Sequence, residues 1–125
     1  INKIYIYIIM FKIFYIENCN YSLKALNLLD KYNLVDKLNK IKSDIDELEI
    51  QDSDLEFIPV SYTSYPKILF IDRTKNFIGG YDELEKLINL VTTPTILNCE
   101  QIPSQRFINK RITCKILLEL TNKIK

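Results

Sequence analysis

Ile13-Phe14-Tyr15-Ile16-Glu17-Asn18-Cys19-Asn20-Tyr21-Ser22-Leu23 opens as a strand and closes as a helix, with a cysteine at the change. The run Tyr5 to Ile16 is dense in Ile, Tyr and Phe, the β-branched and aromatic residues that suit a packed, pleated surface, so it predicts a buried strand. From Tyr21 the apolar residues Leu23, Leu26, Leu28, Leu29 and Tyr32 return at helical spacing, which predicts a helix over Tyr21 to Lys31. Asn33 follows as its C-terminal cap. The intervening turn, Glu17 to Asn20, places the Cys19 thiol at the helix N-terminus. There the unpaired backbone N–H groups and the helix dipole favour a thiolate.

Further along, Lys67 to Asp72 predicts a strand directly after Pro66. The polar stretch Arg73 to Asn76 predicts a tight turn, and Phe77-Ile78 the returning strand of a hairpin. Gly79-Gly80 then punctuates the chain. Tyr81 to Leu90 carries Leu84, Leu87, Ile88 and Leu90 at helical spacing, with Asp82, Glu83 and Glu85 in the first turn where acids suit the dipole. Thr92-Thr93-Pro94 ends that helix. In the last 35 residues, with six Lys or Arg against two acids, Ile112, Ile116, Leu117, Leu120 and Ile124 form one face of a terminal helix packed on the domain. Leu34 to Ile58 is the least readable region: Leu38, Ile41 and Ile45 suit either a short strand or a continuing helix. The seven acids between residues 43 and 56, with no Lys or Arg among them, read as a solvated face. They lack the ligand spacing of a metal site, and an acidic docking surface is the alternative.

Composition excludes much. The chain of 125 residues, 47% hydrophobic and 26% charged, suits one domain, and its two Gly and four Pro argue against a low-complexity or disordered chain. A net charge of +1 offers no global field for nucleic acid or an anionic membrane. Abundant Ile, Lys, Asn and Tyr reflect an A/T-rich coding bias. No repeat with a period of about 20 to 50 residues is visible. The absence of His removes the usual general base, the Ser-His and Cys-His pairs and the commonest metal ligand. Three cysteines, Cys19, Cys99 and Cys114, imply neither a disulfide scaffold nor a four-thiolate site; they favour a reducing, cytoplasmic setting and leave Cys99 and Cys114 without a role. Residues 1–9 precede the first Met, Met10, and read as an upstream extension or an extra strand. Their apolar run is too short for a membrane span of about 20 residues, and no small-residue cleavage site follows it.

A strand, a Cys-bearing turn, a helix, a Pro before a hairpin and Gly-Gly before a helix together resemble glutaredoxin. Cys19-Asn20-Tyr21-Ser22 stands in place of the family's CPYC, Ser64-Tyr65-Pro66 in place of TVP, and Gly79-Gly80-Tyr81-Asp82-Glu83-Leu84 in place of GGxDDL. The resemblance covers residues 10–90 and leaves 91–125 as a C-terminal extension. It implies an α/β fold: a thioredoxin-like, three-layer α/β/α domain with a central mixed sheet and a helical C-terminal extension. Cys19 would be the nucleophile of a monothiol site, since Ser22 occupies the resolving position. Ser22 would donate a hydrogen bond to the thiolate or merely extend the helix. Tyr21 would line a glutathione groove. Pro66 would be cis, turning the Tyr65 backbone to pair with the glutathione main chain; a trans Pro opening a strand is the alternative. Gly80, Asp82 and Glu83 would clamp the γ-glutamyl end, against a plain turn and N-cap.

Ile16 stands where the family usually has a Lys that meets the glycyl carboxylate. Lys67 is the substitute cation, or else a surface residue. The implied function is glutathione-dependent reduction of protein–glutathione mixed disulfides, with glutathione as co-substrate, glutathionylated proteins as partners, and neither nucleic acid nor membrane. Two alternatives remain: a glutathione-assisted [2Fe–2S] carrier, although the motif departs from the CGFS of cluster-bridging members, and a non-catalytic thioredoxin-fold interaction module.

Overall fold

The computed structural model describes residues 10–43, 52–93 and 98–124. Strand β1 (Met10–Tyr15) leads through helix α1 (Asn20–Lys31) to the short strand β2 (Lys40–Lys42). β1 and β2 are parallel, with Ile13 opposite Lys40, so α1 serves as the crossover that a parallel pair requires. Strands β3 (Lys67–Ile71) and β4 (Lys75–Gly79) form the expected hairpin, and β3 runs antiparallel to β1 with Phe11 opposite Phe70. The sheet is therefore mixed and four-stranded, in the order β2-β1-β3-β4. Asp72 closes the hairpin turn, its carboxylate accepting hydrogen bonds from the Thr74 N–H at 2.7 Å and hydroxyl at 3.0 Å.

The end of α1 shows how local sequence stops a helix. Asn33 adopts φ 58°, its N–H donates to the Asp30 carbonyl at 3.1 Å, and the Leu34 N–H reaches back to the Leu29 carbonyl at 2.9 Å. This paired motif satisfies two terminal carbonyls, and Leu29 and Leu34 are both buried beside it. Leu34 emerges against β1, where its carbonyl accepts from the Phe11 N–H.

Alternation along the strands builds two cores. Phe11, Ile13, Ile68, Phe70 and Ile78 face one side, where they meet α1, α2 (Tyr81–Thr92) and α3 (Lys110–Ile124). Ile116, Leu117 and Leu120 of α3 are buried with Leu84, Leu87 and Ile88 of α2, so residues beyond 91 complete the same core as residues 10–90. Lys115 further ties α3 to the hairpin turn through an ion pair with Asp72 at 2.8 Å.

Phe14, Leu69 and Phe77 face the other side. Among the described residues, α1, α2 and α3 lie on the first side, and the second is covered by the 3₁₀ turn Ser53–Phe57, the loop after it and Phe107; of the expected three layers these residues show the mixed sheet and the helical layer on one face. The expectation of a solvated acidic face fails at Asp52 and Asp54, although Glu56 farther along the run is exposed. Lys12 points to this side, is only 8% exposed, and binds Asp52 at 2.7 Å and Asp54 at 2.8 Å. Lys75 also pairs with Asp54, which is itself buried. A buried cation on a central strand recruits those carboxylates from the run, since an unpaired charge there would be costly. Asp44, Asp46, Glu47, Glu49 and Ile45 lie outside the described residues, as do residues 1–9 and Pro94. Among the described residues no helix is long and apolar enough to cross a membrane.

Candidate active site around Cys19

Cys19 is the N-cap of α1. Its N–H donates to the Ile16 carbonyl at 3.1 Å, closing the turn out of β1, and its carbonyl accepts the first helical bond, from the Leu23 N–H, at 3.0 Å. The side chain is half-buried and unpaired with another sulfur. Its thiol pKa is held below the ordinary value chiefly by the Ser22 backbone N–H; partial burial opposes this, while the Ser22 hydroxyl and Tyr21 N–H assist. Ser22 is fully buried, and its Oγ accepts from the Ile16 N–H at 3.1 Å, which leaves the hydroxyl proton free to turn toward sulfur. Ser22 thus does more than extend the helix. The arrangement favours a Cys19 thiolate without a histidine.

Across the site the Cys19 Sγ lies 3.9 Å from the carbonyl oxygen of Tyr65. The Tyr65–Pro66 peptide bond is cis, as the resemblance implied, and Pro66 is buried at the entry to β3. Beside the sulfur opens a groove of about 300 Å³. It is lined by Tyr21 after Cys19, by Tyr62, Ser64 and Tyr65 of the loop before the cis peptide, by Gly80 to Glu83 at the start of α2, and by Arg106. Tyr21 is 56% exposed; its ring lies 6.4 Å from that of Tyr81, and the Lys24 ammonium approaches both.

Two glycines shape the start of α2. Gly79 has φ +124°, a conformation that side chains rarely adopt. Gly80, the N-cap of α2, is packed so closely that a Cβ there would stand 2.5 Å from the Tyr62 hydroxyl and 3.2 Å from the Pro66 carbonyl oxygen. The glycine pair therefore lets the α2 N-terminus approach the loop that carries the cis peptide.

Of the residues singled out from sequence, Tyr21, Tyr65, Gly80, Asp82 and Glu83 come together on the groove, with Cys19, Ser22 and Pro66 beside it. Two side chains are used differently from expectation. Glu83 is buried and its Oε1 accepts from the Gly80 N–H at 2.7 Å, so that oxygen caps its own helix instead of facing a ligand. Lys67 lies 4.6 Å over the Tyr65 ring and does not line the groove; the cation that does is Arg106. Arg106 and Tyr62 were missed. Their only sequence signal was the positive charge of the tail for Arg106, and Tyr62 carried none.

The other two cysteines are partners. Cys99 and Cys114 form a disulfide with Cα atoms 5.5 Å apart, joining the 3₁₀ turn Cys99–Gln101 to α3. The odd cysteine count thus resolves into one bridge and one free thiol, Cys19. Among the described residues, no group of three or more His, Cys, Asp or Glu is arranged to hold a metal ion. Compared with known proteins, the chain matches no family model, no curated protein and no solved structure.

Proposed function

We propose that this protein is a glutathione-dependent thiol–disulfide oxidoreductase of monothiol type, on a thioredoxin-like fold, that reduces protein–glutathione mixed disulfides through Cys19. The observation that carries the reading is the position of the Cys19 sulfur: at a helix N-terminus, beside the Ser22 N–H and 3.9 Å from the carbonyl that precedes a cis proline, at the edge of a peptide-sized groove. The mixed parallel and antiparallel sheet with three helices is compatible with that fold.

Chemically, the Cys19 thiolate attacks the glutathione sulfur of a mixed disulfide. A Cys19–glutathione disulfide forms, and the target thiolate leaves and takes a proton from solvent. A second glutathione thiolate then attacks the glutathione sulfur on Cys19. Glutathione disulfide departs and Cys19 returns as thiolate, so one free glutathione has been consumed and the disulfide bond has passed from the target to the glutathione pair. Ser22 cannot intercept the adduct as a second thiol would, so the second glutathione is required. In this reading a peptide main chain pairs with the Tyr65 backbone that precedes the cis peptide, like an added strand.

The test is reaction of the purified protein with glutathione disulfide, followed by mass and by a coupled reductase assay. A single glutathione on Cys19, formed with a pH dependence set below a free thiol's value of about 8.5, supports the proposal. So does loss of turnover in Cys19→Ser with adduct formation retained in the Cys99→Ser/Cys114→Ser variant. Absence of an adduct, or full turnover in Cys19→Ser, would overturn it.

A further inference from the structure

We propose that Arg106, delivered from the C-terminal segment, anchors the α-carboxylate of the γ-glutamyl end of glutathione in the groove beside Cys19. The proposal rests on the glutathione reading of Cys19 and adds to it a residue outside the segment on which that reading was built.

The first observation is how Arg106 gets there. Ile102 and Ile108 belong to the core on the helical side of the sheet, whereas Phe107 packs on the opposite side. The segment between them therefore passes around the sheet beside the edge strand β4. Phe107 holds it in place: its ring centroid lies 4.8 Å from that of Phe77 and 5.3 Å from that of Tyr62, and the latter two rings are 4.9 Å apart. Arg106, the next residue back along the chain, is exposed and rests against this three-ring cluster. Its guanidinium carbon lies 4.7 Å from the Phe107 ring and 5.9 Å from the Tyr62 ring, on the wall of the groove. A planar guanidinium stacked against aromatic faces loses less side-chain entropy per hydrogen bond formed than a flexible ammonium.

The second observation is charge. Among the described residues, no carboxylate lies within ion-pair distance of Arg106, although Asp82 lines the same groove. Glu83, the other acid there, is engaged with the Gly80 N–H. The groove thus offers one guanidinium and one exposed carboxylate to a ligand. Tyr62 reports the same field: burial raises its phenol pKa, Glu83 and Asp82 add to the rise, and Arg106 opposes it.

A single carboxylate would meet Arg106 and be repelled by Asp82. An amino-acid end, with ammonium and carboxylate on one carbon, complements both. Of the two ends of glutathione only the γ-glutamyl end has that pattern; the glycyl end has a carboxylate alone. A guanidinium fork suits a carboxylate because two N–H donors meet two oxygens in one plane. Arg106 would accordingly select for the γ-glutamyl end and leave the sulfur chemistry to Cys19.

The experiment compares second-order rate constants for adduct formation on Cys19 with two disulfides, glutathione disulfide and cysteinylglycine disulfide. The second lacks the γ-glutamyl group and keeps the glycyl carboxylate. Taking the ratio of the two rates cancels any general change in thiol reactivity or folding. Wild type should prefer glutathione disulfide, and Arg106→Ala should lower that ratio by about tenfold, the smaller end for a charge-assisted hydrogen bond. Arg106→Lys should recover part of it. Arg111→Ala, which removes a tail charge outside the groove, should keep the wild-type ratio. A wild-type preference that survives in Arg106→Ala would overturn the anchor and leave the glutathione reading standing. Equal losses on both disulfides would overturn it too. If wild type shows no preference, the glutathione reading fails and the anchor falls with it.

Discussion

Ser22 Oγ accepts a hydrogen bond from the Ile16 N–H at 3.1 Å, and so joins the last turn before α1 to the side chain one turn inside it. With that lone pair occupied, the hydroxyl proton is left for the Cys19 sulfur, three residues earlier. Replacing Ser22 by Ala removes both bonds. The Cys19 pKa should rise, though not to that of a free thiol, because the Ser22 backbone N–H, its principal support, remains. The Ile16 N–H loses its side-chain acceptor, which should cost about 1 to 3 kcal/mol of stability. The pH profile of Cys19 alkylation checks the first effect and urea unfolding the second. An unmoved alkylation midpoint would show that the hydroxyl does not reach the sulfur.

Gly80 and Tyr62 share one space. A methyl group at residue 80 would approach the Tyr62 hydroxyl to 2.5 Å, and Tyr62 cannot swing aside freely because Phe77 and Phe107 pack against its ring. Gly80→Ala should therefore destabilise the fold by about 1 to 3 kcal/mol. Adding Tyr62→Phe removes the clashing oxygen and should restore part of that loss. A double-mutant cycle by chemical denaturation measures the coupling. Strictly additive effects would mean that the strain lies instead at the Pro66 carbonyl, 3.2 Å away.

Lys12 sits on a central strand with Asp52, Asp54 and Lys75 around it, so its removal should strand buried carboxylate charge. Lys12→Met should cost about 3 kcal/mol near neutral pH. The pH dependence has a definite sign. Burial raises the Asp54 pKa, but Lys12 and Lys75 outweigh it, and the net shift is downward from 3.8. The Asp54 contribution is thus present above that value and lost as pH falls through the folded pKa. Burial lowers the Lys12 pKa, but its bonds to Asp52 and Asp54 outweigh that, so its contribution persists below 10.5 and is lost only above. The stability gap between wild type and Lys12→Met should be widest between these limits and narrow below pH 3.8. A gap independent of pH, measured by urea unfolding, would mean that Lys12 acts through packing alone.

What could be read from sequence was what local chemistry controls. Cys19 at a strand-to-helix turn, Asn33 past a helix end and Gly79-Gly80 before α2 each occupy a position that only a few residue types tolerate, so each announced its conformation. The β3–β4 hairpin was legible because Pro66 and the polar turn bracket an apolar run. What failed depended on partners distant in the chain or on a side chain turned back onto its own helix. Asp54 in an acidic run looks solvated until Lys12, 42 residues earlier, is known to face it. Glu83 looked like a ligand-facing acid because its capping bond to Gly80 and an outward carboxylate share one sequence signature. Arg106 reaches the groove only because Phe107 docks beneath the sheet, and single aromatic residues in a loop carry no periodicity. The layer over the second face was not legible for a related reason: residues 34–58 have no sustained period from which a layer could be assigned.

Cys99 and Cys114 could not be paired by counting, because three cysteines leave one over and nothing in their separation distinguishes a bridge from two thiols. The fold distinguishes them, since the 3₁₀ turn at Cys99 is held against α3 one turn after it begins. The closed loop contains Ile102, Arg106, Phe107 and Ile108, the residues that carry the segment around the sheet. Cross-linking a loop of about 15 residues restricts the unfolded chain by about 3 kcal/mol at 25 °C. Cys99→Ser/Cys114→Ser should lose roughly that much stability, and a reductant should bring wild type down to the same level without affecting the variant. Cys19 takes its thiolate stabilisation from Ser22 and Tyr21, so its alkylation midpoint should not move. Thermal unfolding with and without reductant, with alkylation of Cys19 on the same samples, reads both effects. If reductant lowers wild type and the variant equally, the stabilisation does not come from the bridge.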